Sequence, residues 1–170
     1  MIKQDISENR VNSIYLGIGS NLGNKRLNIE KAKFELFQND ITILKSSGYY
    51  ESFSWPNRDN PKFFNIVIKI ATILNPLELL IKCKEIEIKL GRKISPKNSP
   101  RTCDIDILDY NQKKIIKNII LPHPRICNRN FVLLPLFEIN RDWVHPITKQ
   151  HIKKLILSLP NRDITSIKKV

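Results

Sequence analysis

The stretch Pro100-Arg101-Thr102-Cys103-Asp104-Ile105-Asp106-Ile107-Leu108 decides how the chain is read. From Cys103 onward, polar and apolar residues alternate with period two, the mark of a half-buried strand whose successive side chains point to opposite faces. Ile105, Ile107 and Tyr110 then face a core. Asp104 and Asp106 share the other face, with Cα atoms about two strand rises apart, roughly 6.5–7 Å. Two carboxylates held that close raise one another's pKa and cost stability unless something compensates them. A divalent cation does so. Carboxylate oxygens suit Mg²⁺, which takes one or two of them and completes its shell with water and substrate phosphate. Arg101, three residues before Asp104, adds a guanidinium fork suited to phosphate. The same alternation also fits an amphipathic edge strand with a solvated acidic face, and the pattern alone does not separate the two.

With 170 residues the chain is long enough for one domain with a proper core and short for two. We therefore expect a single domain over residues 1–170, with residues 1–12 as an N-terminal extension and 160–170 as a tail, both loosely ordered. No run of eighteen apolar residues occurs and residues 1–12 lack the apolar segment of a signal peptide, so the expectation is a cytoplasmic protein without a membrane partner. The three cysteines, Cys83, Cys103 and Cys127, contain no C-x-x-C pair and read as small buried thiols. The net charge of +13 suggests an acidic partner such as nucleic acid or polyphosphate. The lysines, however, are spread along the chain with many isoleucines and asparagines. Without a basic tract, compositional bias outweighs nucleic acid as the explanation.

Outward from the central stretch, Ser13–Ile18 reads as a first strand and Lys25–Gln38 as a helix with Leu27, Phe34 and Phe37, and Lys31 by its stem, on one apolar face. Between them Gly19-Ser20-Asn21-Leu22-Gly23-Asn24 lacks the spacing of a phosphate-binding loop and reads as a turn with left-handed glycines. Ile41–Ser47 suits a second strand. Gly48–Pro61 is a polar loop carrying Tyr50 and Trp55, and Lys62–Leu74 is the strongest strand, with the lone amide of Asn65 capping backbone or reading a ligand. Asn75-Pro76-Leu77-Glu78 opens a helix that stops at Gly91. Glu87 and Arg92 near its end read as an ion pair as readily as a site. A short strand or hairpin arm is expected over Lys114–Leu121. Pro122-His123-Pro124-Arg125 is held extended by its prolines. Helices are expected over Asn128–Ile139 and Thr148–Leu159. The order β-α-β-β-α-β is that of an α+β, ferredoxin-like core with an antiparallel sheet, long active-site loops and additional C-terminal helices.

These motifs, taken together, resemble the 6-hydroxymethyl-7,8-dihydropterin pyrophosphokinases, folate-pathway enzymes that move a pyrophosphoryl group from ATP to a pterin alcohol. The resemblance runs from about Ser13 to Val144. It rests on YLGIGSNLG at Tyr15–Gly23, on Ser47, Tyr50, Glu51 and Ser52, on Phe63-Phe64-Asn65, on Ile86-Glu87 with Leu90-Gly91-Arg92, on Pro100–Asp106, and on Leu121–Arg125 with Arg129 and Phe131. It implies that Asp104 and Asp106 hold two Mg²⁺ ions on ATP, and that Arg92 and Arg101 stabilise the transferring phosphates as catalytic residues. By the same resemblance Glu87, His123 and Arg129 lie on the ATP side, with Glu87 left between support and substrate contact. Ser52, Phe63, Asn65 and Phe131 belong to the pterin pocket, and the partners are small molecules, with no nucleic acid, bound by a monomer.

The chain departs from the family between Arg92 and Arg101, where the loop is shorter by one residue than in some members and lacks a second arginine and a tryptophan, near Ile94 and Asn98. Ser52 stands where threonine is common, and Trp55 is a candidate to extend the pterin-stacking surface. Two rival readings are a ferredoxin-like nucleic-acid module, whose K/R-G-F/Y-G/A-F-V-x-F/Y run is absent, and a phosphotransferase using the aspartate pair on another alcohol. A family member that has lost activity is a third, against which the intact Arg92, Arg101, Asp104 and Asp106 speak.

Overall fold

A computed structural model describes residues 13–96 and 98–170. The expectation of a loose extension over residues 1–12 lies outside the described residues. β1 (Ile14–Ser20) is flanked by β4 (Phe63–Ala71) and β5 (Asp104–Tyr110), both antiparallel to it. The far edge of β4 carries two short strands end to end: β2 (Thr42–Ser46) on its C-terminal half and β3 (Tyr50–Ser52) on Phe63–Asn65. With α1 (Lys25–Gln38) after β1 and α2 (Pro76–Lys89) after β4, the core order β5-β1-β4-β2 is the ferredoxin-like arrangement.

The expected loop over Gly48–Pro61 is thus a strand for three of its residues. Sequence pattern hides this because Tyr50–Ser52 is extended only through its partners, β4 on one side and β6 (Lys168–Lys169) on the other. Ser47 bridges the break between β2 and β3. Its N–H donates to Val67 O at 2.9 Å, and its hydroxyl accepts from Val67 N at 3.0 Å, standing in for a ladder carbonyl.

α1 and α2 cover one face of the sheet, where Ile14, Leu16, Ile18, Ile105 and Ile107 meet Leu36, Leu79 and Cys83. α3 (Asn130–Ile139) and α4 (Ile152–Leu157) cover the other, over Tyr15, Val67, Leu108 and Trp143. α2 has the expected start: the Asn75 side chain accepts from Leu77 N and Glu78 N, and Glu78 accepts from Asn75 N at 2.8 Å. At its end Gly91 takes φ +91°, the left-handed conformation that lets the chain reverse into Arg92.

The buried face of α1 differs from the expectation. Ile29, Ala32 and Leu36 are fully buried, whereas Leu27, Phe34 and Phe37 are exposed. The helix has apolar residues on both sides, so periodicity alone cannot choose between them. Polar ties at its start set its rotation: Asn28 Nδ2 donates to Leu22 O at 2.8 Å and to Ser20 Oγ at 3.3 Å. The loose tail is likewise replaced by structure, α5 (Asn161–Ser166) and β6, which pairs with β3. Lys114–Leu121 makes only a single bridge, Ile115 to Leu121, and the helix expected over Thr148–Leu159 is confined to Ile152–Leu157. If the Ile29/Ala32/Leu36 face is the packed one, Leu36→Ala will lower unfolding free energy by about 2–5 kcal/mol, while Phe34→Ala stays within about 0.5 kcal/mol in the same urea titration.

Candidate active site

Asp104 and Asp106 lie on the face of β5 away from α1 and α2, as the alternation required. Each carboxylate has its own guanidinium partner. Arg92 donates to Asp104 Oδ1 at 2.9 Å, and Arg101 Nη2 lies 3.5 Å from Asp104 Oδ2. Arg129 donates to Asp106 Oδ2 at 2.8 Å, with His123 Nε2 3.7 Å from the same oxygen. Burial alone would raise the Asp106 pKa, but the neighbouring imidazole and the Arg129 guanidinium outweigh it, so the net shift is downward. Burial, reinforced by Arg129 and Arg125, lowers His123 below the usual imidazole value. Its Nδ1 accepts the Arg125 N–H at 3.1 Å, which leaves the proton of the neutral ring on Nε2, toward Asp106.

Glu87 is fully buried beneath this cluster, and its oxygens are occupied. Oε1 accepts from Ile105 N at 2.6 Å and Lys84 Nζ at 2.7 Å, and Oε2 binds Arg92. The ion-pair reading of Glu87 and Arg92 therefore describes the geometry: the carboxylate fixes Arg92 from behind. Arg101 is held by a reciprocal pair of bonds with Asn21, Arg101 N to Asn21 Oδ1 at 2.7 Å and Asn21 N to Arg101 O at 3.1 Å. Its Nε is buried without a hydrogen-bond partner. A buried donor left unpaired costs free energy, and it marks a place where an anion would be welcome.

Two cavities meet at these charges. The narrow one, about 60 Å³, is lined by Gly17, Gly19, Phe63, Asn65, Phe131 and Val132 together with Arg101, Asp104, Asp106 and Arg129. Its floor is the strip of β1 where Gly17 and Gly19 face Asp106 and Asp104 in the register. A Cβ on Gly19 would lie 3.1 Å from Asn65 Oδ1 and 3.3 Å from the Phe63 ring. The wide cleft, about 520 Å³, takes in Lys84, Arg92, Lys93, Ile94, His123 and Arg125 and shares Arg101, Asp104, Asp106 and Arg129 with the first.

Of the residues singled out in the sequence, Arg92, Arg101, Asp104, Asp106, His123 and Arg129 come together at this junction, and Phe63, Asn65 and Phe131 line the narrow pocket. Ser52 meets the pocket only through Asn65, whose Nδ2 donates to Ser52 Oγ at 3.0 Å and to Tyr50 O at 3.3 Å. The amide nitrogen of Asn65 is thus engaged within the protein, and Oδ1 is the atom at the pocket floor. Trp55 does not line the narrow pocket. It stands at the rim of the wide cleft, 63% exposed, with the Arg125 guanidinium 5.6 Å from its ring centre.

Reading the sequence missed Gly17, Gly19 and Asn21. Gly19 is a strand residue rather than part of a left-handed turn; only Gly23 of that pair has positive φ, +61°. Two glycines at i and i+2 in an apolar strand share one face, and that spacing was the available signal. Asn21 carries no such signal: it is recognisable only once its Nδ2 is seen to reach Pro61 O at 3.0 Å and Ser54 Oγ at 3.3 Å, joining Arg101 to the loop after β3.

Among the described residues no three His, Cys, Asp or Glu side chains group into a metal site. The donors present, two carboxylates on one strand beside an open cleft, fit Mg²⁺, which leaves its other positions to water and phosphate, and do not fit zinc.

The model of the 7,8-dihydro-6-hydroxymethylpterin-pyrophosphokinase family matches residues 15–141. A 2-amino-4-hydroxy-6-hydroxymethyldihydropteridine pyrophosphokinase of Aquifex aeolicus is 40% identical over 143 residues, covering 84% of this chain and 89% of that protein. The folic acid synthesis protein fol1 of Pneumocystis carinii is 38% identical over 164 residues, 95% of this chain but 22% of that protein. A crystal structure of Plasmodium falciparum HPPK-DHPS superposes with a TM-score of 0.68 at 16% identity, covering 86% of this chain and 44% of that one, which bears on the fold alone. The chain therefore spans about a fifth of the fungal relative and under half of the solved one. The comparisons define the class as the pyrophosphokinases. Within that class, the chain belongs to the 7,8-dihydro-6-hydroxymethylpterin-pyrophosphokinase family of folate biosynthesis.

Two measurements test this geometry. Removing Glu87 leaves the buried Ile105 N–H without its acceptor, while Lys84 and Arg92 remain partly exposed, so Glu87→Ala will cost about 1–3 kcal/mol of unfolding free energy. For Asp106 the folded pKa lies below the unfolded value near 3.8. Its contribution to stability is therefore present above that value and disappears as pH falls through the folded pKa. Carbon-detected NMR will show Asp106 titrating below 3.8 in the wild type, and moving upward in Arg129→Ala.

Proposed function

We propose that this chain transfers the pyrophosphoryl group of ATP to the hydroxymethyl oxygen of 6-hydroxymethyl-7,8-dihydropterin, releasing AMP. The observation that carries the reading is the junction of the two cavities: a flat pocket with aromatic walls and a wide cationic cleft abut at Asp104, Asp106, Arg101 and Arg129. The lining of the first, Phe63 and Phe131 with an amide oxygen at the floor, is of the kind that takes a planar heteroaromatic acceptor once its walls part, and a polyphosphate suits the second. The alcohol at the pocket's mouth would then lie next to the phosphates.

In this reading the pterin oxygen attacks the β-phosphorus in line. A new P–O bond forms, the bond between the β-phosphorus and the α–β bridging oxygen breaks, and AMP leaves on that oxygen. Asp104, whose carboxylate borders both cavities, would orient the attacking hydroxyl, whose proton passes to solvent. Arg92 and Arg101 neutralise charge on the phosphates in flight, Arg101 with its unpartnered Nε and Arg92 held by Glu87. His123 and Arg129 bind on the nucleotide side. Two Mg²⁺ ions held by Asp104 and Asp106 would supply charge neutralisation and alignment of the phosphates. No helix among the described residues is long and apolar enough to cross a membrane, in keeping with two small polar substrates.

The test is AMP formation from MgATP with and without the dihydropterin. Wild type will form AMP only when the pterin is present, and Asp106→Ala will lower the rate by roughly two to three orders of magnitude. AMP formation unaffected by Asp106→Ala, or independent of the pterin, would refute the assignment.

A further inference from the structure

β3 presents Ser52 and the Tyr50 carbonyl to Asn65, yet it is only three residues long. So short a strand, paired on one side alone, is weakly held. Its second edge is covered by β6: Tyr50 pairs with Lys169 and Glu51 with Lys168, and Val170 N donates to Tyr49 O at 3.0 Å. A side-chain cluster ties the same segment to the last turn of α3. Glu138 Oε1 accepts from Lys169 Nζ at 2.9 Å and from Gly48 N at 3.1 Å, and Oε2 accepts from the Tyr50 hydroxyl at 2.7 Å. Burial would raise the Glu138 pKa, but the Tyr50, Lys169 and Gly48 contacts outweigh it and hold it down.

Gly48 is a further part of this arrangement. A Cβ there would lie 2.6 Å from Lys169 Cε, so the missing side chain is what lets the lysine stem cross to Glu138.

We propose that Lys169 and Glu138 are positioning residues for the acceptor pocket: their ion pair locks β3 in place, and β3 in turn orients the amide of Asn65. This rests on the reaction proposed above. Both protons of Asn65 Nδ2 are taken by β3, by Ser52 Oγ and Tyr50 O. The direction of Oδ1 at the pocket floor is therefore set by where β3 sits. Lys169 is more than half exposed, and an exposed ion pair adds little to global stability. Its effect falls on the placement of β3.

The experiment compares wild type with Lys169→Ala, Glu138→Gln and Lys169→Arg in steady-state AMP formation. In Lys169→Ala and Glu138→Gln the KM for the dihydropterin will rise about 3- to 10-fold, while the KM for MgATP, kcat and Tm stay at wild-type values. Lys169→Arg, which keeps the charge, will restore the pterin KM. Unchanged pterin KM values, or a parallel change in both KM values and kcat, would overturn the proposal. Absence of pterin-dependent AMP in wild type would refute the reaction instead. Amide hydrogen exchange at Tyr50–Ser52 then decides the strap by itself: faster exchange in Lys169→Ala supports it, and unchanged exchange overturns it.

Discussion

Two aspartates on one face of one strand, two residues apart, repel one another, and the architecture around β5 answers that constraint with charge partners. Asp104 is met by Arg92 and Arg101, and Asp106 by Arg129 and His123. These residues come from three separate segments: the end of α2, the approach to β5, and the Pro-rich loop that leads into α3. α2 packs on one face of the sheet and α3 on the other, and both have an end at the edge where the aspartates lie. Gly91 lets Arg92 turn back at once after α2, and Glu87 one turn earlier binds it. The guanidiniums that balance the carboxylates are also the groups an incoming polyphosphate requires, so the charge balance of the folded chain and the proposed chemistry use the same side chains.

The strand next to β5 makes the matching concession. Gly17 and Gly19 leave a bare strip on β1 between the aspartates of β5 and Asn65 of β4. Glycine within a strand lowers stability by about 0.5–1 kcal/mol relative to alanine. Here it opens a floor on which a flat ring can lie against backbone, with Phe63 and Phe131 as walls. Leu108 and Val132 close the inner end, where the pocket merges into the core beneath α3.

How much of this was legible in the sequence follows from how local each feature is. Asp104 and Asp106 lie two residues apart on one strand, with Arg101 three residues before Asp104, so period-two alternation and a fixed rise were enough to place the pair. The bounds of α2 were legible because Asn75, Pro76, Glu78 and Gly91 each act on their own turn. The buried face of α1 was not, because its rotation is set by Asn28 reaching Leu22 and Ser20, contacts outside the helix. β3 was illegible for the same kind of reason: Tyr50–Ser52 is extended through β4 and through β6, more than a hundred residues away. The bearing of Glu87 was open until both its oxygens were seen to be occupied. For Trp55, the sequence supplied an aromatic beside the right motif, but only the path of the loop decided that it faces Arg125 and the wide cleft.

The two cavities differ in how much they must change, and that difference follows from which elements line them. The wide cleft already falls within the roughly 300–1,000 Å³ usual for ligand sites, whereas the narrow pocket, at about 60 Å³, does not. A bicyclic ring therefore enters only if a wall retreats. Gly19 and Asn65 sit on the central strands β1 and β4, with ladders on both sides, while Asp104 and Asp106, on the edge strand β5, are held by the β1 ladder and by Arg92, Arg101 and Arg129. Phe131 stands in the first turn of α3, outside the sheet and two residues from Arg129, which carries no side-chain cap bond at the helix start. Displacing Phe131 also disturbs Arg129, whose guanidinium lies 5.4 Å from its ring and holds Asp106. In the proposed reaction, a shift of Phe131 on filling the narrow pocket would therefore reach the Arg129–Asp106 pair, through two residues adjacent but one in the chain.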